Sequence, residues 1–82
     1  MIIKVYGADR CRKTQYYLRF LAKQNLEFVF LDVEKNDDHA NELRNLFTNR
    51  KLNFPTITIN SKKLRNPSDA ELLKWIDKLK SA

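Results

Sequence analysis

The residue best equipped for covalent chemistry is Cys11, the one cysteine of this 82-residue chain. It stands in the string Asp9-Arg10-Cys11-Arg12-Lys13, between an apolar run from Ile2 to Tyr6 and a segment of helical periodicity that begins at Arg12. A thiol attacks as its thiolate, and a helix N-terminus favours that anion through unpaired N–H groups and the positive end of its dipole. Arg10, Arg12 and Lys13 add positive charge while Asp9 opposes it, so the thiol is expected to titrate below its unperturbed value of about 8.5. A free cysteine is most often a small buried hydrophobe. Here its neighbours include no apolar side chain, which argues for a surface segment. A single cysteine can attack a disulfide to form a mixed disulfide, which an outside thiol must then resolve. Thr14, one helical turn on, either donates a hydroxyl hydrogen bond to the thiolate or simply fills space.

The elements around Cys11 follow from periodicity and punctuation. Ile2–Tyr6 reads as a strand leaving into the loop Gly7-Ala8-Asp9-Arg10. From Arg12 to about Gln24, Tyr17, Leu18 and Leu21 fall on helical spacing with Phe20 beside them, and no Gly or Pro interrupts. Phe28 to Val33 is almost continuously apolar, the pattern of a central strand covered on both faces. Asn36-Asp37-Asp38 then caps a second helix that buries Ala40, Leu43, Leu46 and Phe47, with acidic residues first and Arg44, Arg50 and Lys51 toward its end. After Asn53-Phe54-Pro55, the alternating Thr56–Ile59 and the run Lys62–Arg65 read as a hairpin turning at Asn60-Ser61. Asn66-Pro67-Ser68-Asp69 offers an N-cap with Pro at the first helical position, opening a last helix with Leu72, Leu73, Ile76 and Leu79 as its stripe and Trp75 near it. The order β-α-β-α-β-β-α specifies an α/β domain spanning 1–82, a mixed sheet flanked by helices whose first two strands run parallel through a right-handed crossover.

Composition bounds the class of function. Sixteen Lys and Arg against ten Asp and Glu give a formal charge of +6, which favours acidic partners through long-range attraction. The basic residues are scattered and no base-stacking motif accompanies them, so a solvated basic surface is expected rather than nucleic-acid binding. No apolar run is long enough for a membrane span or a signal peptide, and a lone cysteine fits a reducing compartment, so the expected location is the cytoplasm. His39 stands alone beside two aspartates and is expected at the surface, and no set of metal ligands is evident.

The element order, with a cysteine between the first strand and first helix and a proline just before the third strand, resembles the minimal thioredoxin fold of glutaredoxins: a four-stranded mixed sheet flanked by three helices. The resemblance covers almost the whole chain. It rests on Cys11-Arg12-Lys13-Thr14 at the family's active-site tetrad, Asp32-Val33 ending the second strand, Phe54-Pro55 where the family has Val and a cis-proline, the Ile59-Asn60 turn, and Ser68-Asp69 opening the last helix. Five positions depart from the pattern. Thr14 replaces the second cysteine, as in the monothiol branch; Arg65-Asn66 stands where the family has Gly-Gly; Ala8 and Asn53 replace a lysine and a threonine. Arg12-Lys13-Thr14 also differs from the Gly-Phe-Ser of the branch that shares an iron–sulfur cluster between subunits.

The resemblance implies a thiol–disulfide oxidoreductase that uses glutathione as co-substrate. Cys11 would attack the glutathionyl sulfur of a protein or small-molecule mixed disulfide and be regenerated by a second glutathione. It further implies a cis Pro55 with the backbone of Phe54 beside the sulfur, Ser68 and Asp69 at the γ-glutamyl end, and Lys51 at the glycyl carboxylate. Arg10, Arg12 and Lys13 would line the substrate face, and Arg65 would either pair with an anionic ligand or block the groove. The alternative is a binding module that keeps the scaffold and docks a partner protein on its basic active-site face.

Overall fold

The computed structural model describes residues 1–47 and 54–80. Along them run β1 (Ile3–Gly7), α1 (Arg12–Lys23), β2 (Val29–Asp32), α2 (Asp37–Asn45), β3 (Thr56–Ile59), β4 (Lys62–Arg65) and α3 (Asp69–Lys80). The sheet has the order β2-β1-β3-β4, with β1 parallel to β2 and antiparallel to β3, and β3 antiparallel to β4. This is the expected mixed sheet of four strands with three helices.

Strand alternation divides the core into two layers. Ile3 and Val5 of β1, Ile57 and Ile59 of β3 and Leu64 of β4 pack with Tyr17 and Leu21 of α1 and Leu72 and Ile76 of α3. On the other face Tyr6 meets Val33, Ala40 and Leu43, under α2. Each fully buried leucine or isoleucine contributes roughly 1.5–3 kcal/mol relative to exposure. Burial, reinforced by the Glu42 carboxylate, raises the Tyr6 phenol above its ordinary value and keeps it neutral.

Two expectations need correction. The Phe28–Val33 run is not a central strand: β2 is an edge, paired to β1 alone. Its apolarity records helices on both faces, with Phe28 and Phe30 against the first layer and Leu31 and Val33 against the second. The cover stops short of Val29, which is 50% exposed. The cap of α3 is Ser68, not Asn66: the Ser68 hydroxyl accepts the Glu71 N–H at 3.2 Å and its carbonyl accepts the Leu72 N–H at 2.9 Å. Pro67 therefore precedes the cap instead of opening the helix.

Other boundaries also differ: β1 is displaced by one residue, starting at Ile3 and running through Gly7, and α2, expected to carry Leu46 and Phe47 and to reach toward Lys51, ends at Asn45, leaving Leu46 and Phe47 packed from just beyond it. His39, expected at the surface, is half-buried there, with its Nδ1 out of solvent and without a hydrogen-bond partner among the described residues. Asn36 caps α2 as expected, its Oδ1 accepting from Asp38 and His39 N–H at 2.9 and 3.2 Å. Among the described residues no helix is long and apolar enough to cross a membrane.

Candidate active site

Cys11 is the N-cap of α1, with extended backbone angles of φ −82° and ψ 121°. Its N–H donates to the Ala8 carbonyl at 3.0 Å and its carbonyl accepts the first helical bond from Gln15 at 3.0 Å. The thiol is free and half-buried. Asp9, Arg10, Arg12 and Lys13 are exposed around it, so the sulfur lies at the surface and not in the core.

Thr14 lies beneath it, fully buried. The Thr14 hydroxyl oxygen accepts the Ala8 N–H at 3.4 Å. With an acceptor role fixed there, the hydroxyl proton is free to point at the sulfur. That hydrogen bond is the largest influence lowering the Cys11 pKa; partial burial opposes it, and the Thr14 and Lys13 amides and the Arg10 charge add to it. No side-chain capping bond is closed to the neutral thiol, so the amides act on the anion once it forms. Gly7 explains how Thr14 fits: a Cβ built at Gly7 would sit 2.4 Å from Thr14 Oγ1 and 2.6 Å from its Cγ2.

The loop carrying the thiol is laced to its neighbours. Gln15 Nε2 donates to the Asp9 carbonyl and side chain at 2.8 and 3.1 Å. Asp32, at the end of β2, accepts N–H bonds from Glu34 and Lys35 on one oxygen at 2.9 and 3.0 Å and from Asp9 on the other at 3.3 Å. Lys35 reaches Asp9 at 3.3 Å, and Arg10 forks onto Glu34 with Nε at 2.9 Å from one oxygen. Partial burial raises the Asp32 pKa, but the three amides and the Lys35 charge outweigh it and the net shift is downward.

No protein-family model matches the chain, and no curated protein matches it either. Solved structures do. The thioredoxin-like protein BC3987 aligns at TM-score 0.72 and 24% identity over 90% of this chain and 97% of its own. A point mutant of that protein gives 0.75 and 24% over 88% and 95%. A glutaredoxin from Archaeoglobus fulgidus gives 0.73 and 15% over 90% and 84%. The fold is thioredoxin-like.

Within this thioredoxin-like fold the residues singled out from sequence separate into groups. Cys11 and Thr14 meet as described. Lys13 Nζ reaches Asn66 Oδ1 at 3.5 Å, and the Asn66 N–H donates to the Pro55 carbonyl at 2.8 Å, so the start of α1 and Pro55 are bridged through Asn66. The Phe54–Pro55 bond is cis, Pro55 is fully buried, and Phe54 packs in the α2 layer. Asp69 accepts a hydrogen bond from the Tyr16 hydroxyl, which ties α1 to the first turn of α3. Ser68 spends its hydroxyl on its own helix. Arg10 is turned to Glu34, and the Arg65 guanidinium lies 3.7 Å above the Phe47 ring. Arg12 is exposed. Lys51 lies outside the described residues.

Sequence reasoning missed four contributors. Gly7 had a signal, as the one glycine of the chain. Asn66 has φ 43°, a left-handed conformation that asparagine tolerates best among residues with a side chain. It thus supplies a backbone shape that the missing glycine would have given. Asp32 was marked only as the end of the second strand in the resemblance and as an aspartate before a turn, neither of which gives its role in holding the thiol loop, and Tyr16 carried no signal.

Asp32 makes a testable contribution to acid stability. Its pKa is depressed by folding, so its stabilisation is complete above the unfolded value of about 3.9 and is lost as pH falls through the folded one. Asp32→Asn is expected to cost about 1 kcal/mol at neutral pH and to flatten the decline in stability below pH ~4. Urea titrations from pH 2.5 to 7 measure both; an unchanged acid limb would contradict the assignment.

Proposed function

We propose that the protein is a monothiol thiol–disulfide oxidoreductase that exchanges glutathione mixed disulfides through Cys11. The observation that carries this reading is a half-exposed thiol at a helix start whose pKa is held down by the Thr14 hydroxyl and two backbone amides. The Cys11 thiolate attacks the glutathionyl sulfur of R–S–S–G. A Cys11–glutathione disulfide forms, the old S–S bond breaks, and the departing thiolate R–S⁻ takes a proton from solvent. A second glutathione thiolate then attacks the bound glutathionyl sulfur, releasing glutathione disulfide and restoring the Cys11 thiolate. With Thr14 in place of a second cysteine, the external thiol is required in every cycle.

The surroundings favour an anionic substrate. Arg10 is paired with Glu34, and Arg12 and Lys13 are exposed cations flanking Cys11 in the chain. The Asp69 carboxylate, with Tyr16 donating to it, is the group to meet the ammonium of a γ-glutamyl end, and the Phe54 backbone is the group to pair with the peptide portion.

The test combines two measurements on the intact chain, with Cys11→Ser as background. Alkylation rate against pH is expected to give a Cys11 midpoint below about 8.5, and a small glutathione mixed disulfide is expected to be reduced by glutathione only when Cys11 is present. A midpoint at or above the free value without Cys11-dependent turnover rejects the enzyme and favours the docking-scaffold reading.

A further inference from the structure

A second basic feature lies at the far end of the sheet. Lys62 pairs with Ile59, and Ile59 with Ile3 at the beginning of β1, whereas Cys11 follows the end of that strand. At that far end the ammonium groups of Lys62, Lys78 and Lys74 converge on one half-buried indole, Trp75, at 4.2, 4.8 and 5.9 Å from the ring centroid. Lys74 and Lys78 are a helical turn apart on α3, and Lys62 comes across from β4. None of the three is in an ion pair among the described residues.

Three like charges around one ring repel one another, and the ring quadrupole offsets this only in part. Three ammonium groups, each within 5.9 Å of the same ring centroid, present a local excess of positive charge and of hydrogen-bond donors whose complement is a run of carboxylates. A nucleic acid is the less suitable occupant, because base recognition without sequence preference depends on an open aromatic face, and the positions over this ring are taken by ammonium groups. We propose that the Trp75 face is a docking surface for an acidic segment of a partner protein, separate from the thiol.

Trp75 is the one tryptophan, so its fluorescence reports the surface directly. The intact chain is titrated at low salt with a glutamate-rich decapeptide, with a neutral peptide of the same length, and with a single-stranded oligonucleotide of similar charge, and calorimetry follows the same titrations. The acidic peptide is expected to bind saturably and the neutral one not at all. Lys62→Gln/Lys74→Gln/Lys78→Gln is expected to weaken binding at least about tenfold, whereas Arg19→Gln/Lys23→Gln/Arg44→Gln, with the same loss of net charge, changes it by less than about twofold. Thermal unfolding confirms that both variants fold, and the Cys11 alkylation rate is expected to stay unchanged in both. Equal weakening by the two variants overturns the proposal in favour of net charge alone. Tighter binding of the oligonucleotide, or no peptide binding, also overturns it.

Discussion

Gly7→Ala is expected to destabilise the protein by about 1–3 kcal/mol and to raise the titration midpoint of Cys11. The added methyl would lie 2.4, 2.6 and 3.0 Å from the Oγ1, Cγ2 and Cβ of Thr14, and Thr14 is fully buried and cannot swing into solvent. Gly7 does not occupy the left-handed region, so the penalty is one of space and not of backbone conformation. To relieve the clash Thr14 must move, taking its hydroxyl away from both the Ala8 N–H and the sulfur. The double variant Gly7→Ala/Thr14→Ala separates the two effects. It removes the closest clashing atoms, so stability should recover relative to Gly7→Ala alone, while the thiol midpoint stays high. Strictly additive costs in that cycle would mean that the two residues do not share the space.

Thr14→Val keeps the shape of the side chain and removes only the hydroxyl. The buried Ala8 N–H then loses its acceptor, at an expected cost of about 1–3 kcal/mol, and the thiolate loses its largest stabilising influence. Alkylation at neutral pH should slow in proportion to the lost thiolate fraction, and Thr14→Ser should restore much of it. The stability profile carries a second signature. Because folding lowers the Cys11 pKa, the thiolate's contribution is complete above the unfolded value of about 8.5 and disappears as pH falls through the folded value. Denaturation curves should therefore show stability rising across that interval in the wild type and rising less in Thr14→Val. An unchanged thiol midpoint in Thr14→Val would reduce the side chain to a space filler.

The placement of the thiol was readable from sequence because it depends on local rules. An apolar β-branched run, a polar loop and an uninterrupted helical stripe put Cys11 at a helix start whatever the rest of the chain does. The element order was readable for the same reason. Strand order was not: Phe28–Val33 is apolar because helices cover its two faces, and that pattern says nothing about which of its edges is paired. The start of α3 is not specified locally, because Asn66, Ser68 and Asp69 are all competent caps. Tertiary context chose Ser68, with Asn66 held left-handed against the Pro55 carbonyl. The ties that hold the thiol loop, from Asp32, Glu34, Lys35 and Gln15, join residues up to 26 positions apart. No local signal specifies such partners.

The edge position of β2 also governs how its backbone trades protons with solvent. The Val33 N–H is turned inward to the Gly7 carbonyl at 2.9 Å, and the two-residue alternation of a strand turns Leu31 inward with it and Phe30 and Asp32 outward. Deuterium should therefore enter β2 at every second amide by small local openings, whereas in β1, flanked by strands on both sides, it must await a larger unfolding. The two parallel neighbours thus belong to different tiers of cooperativity, with the division running along a single strand.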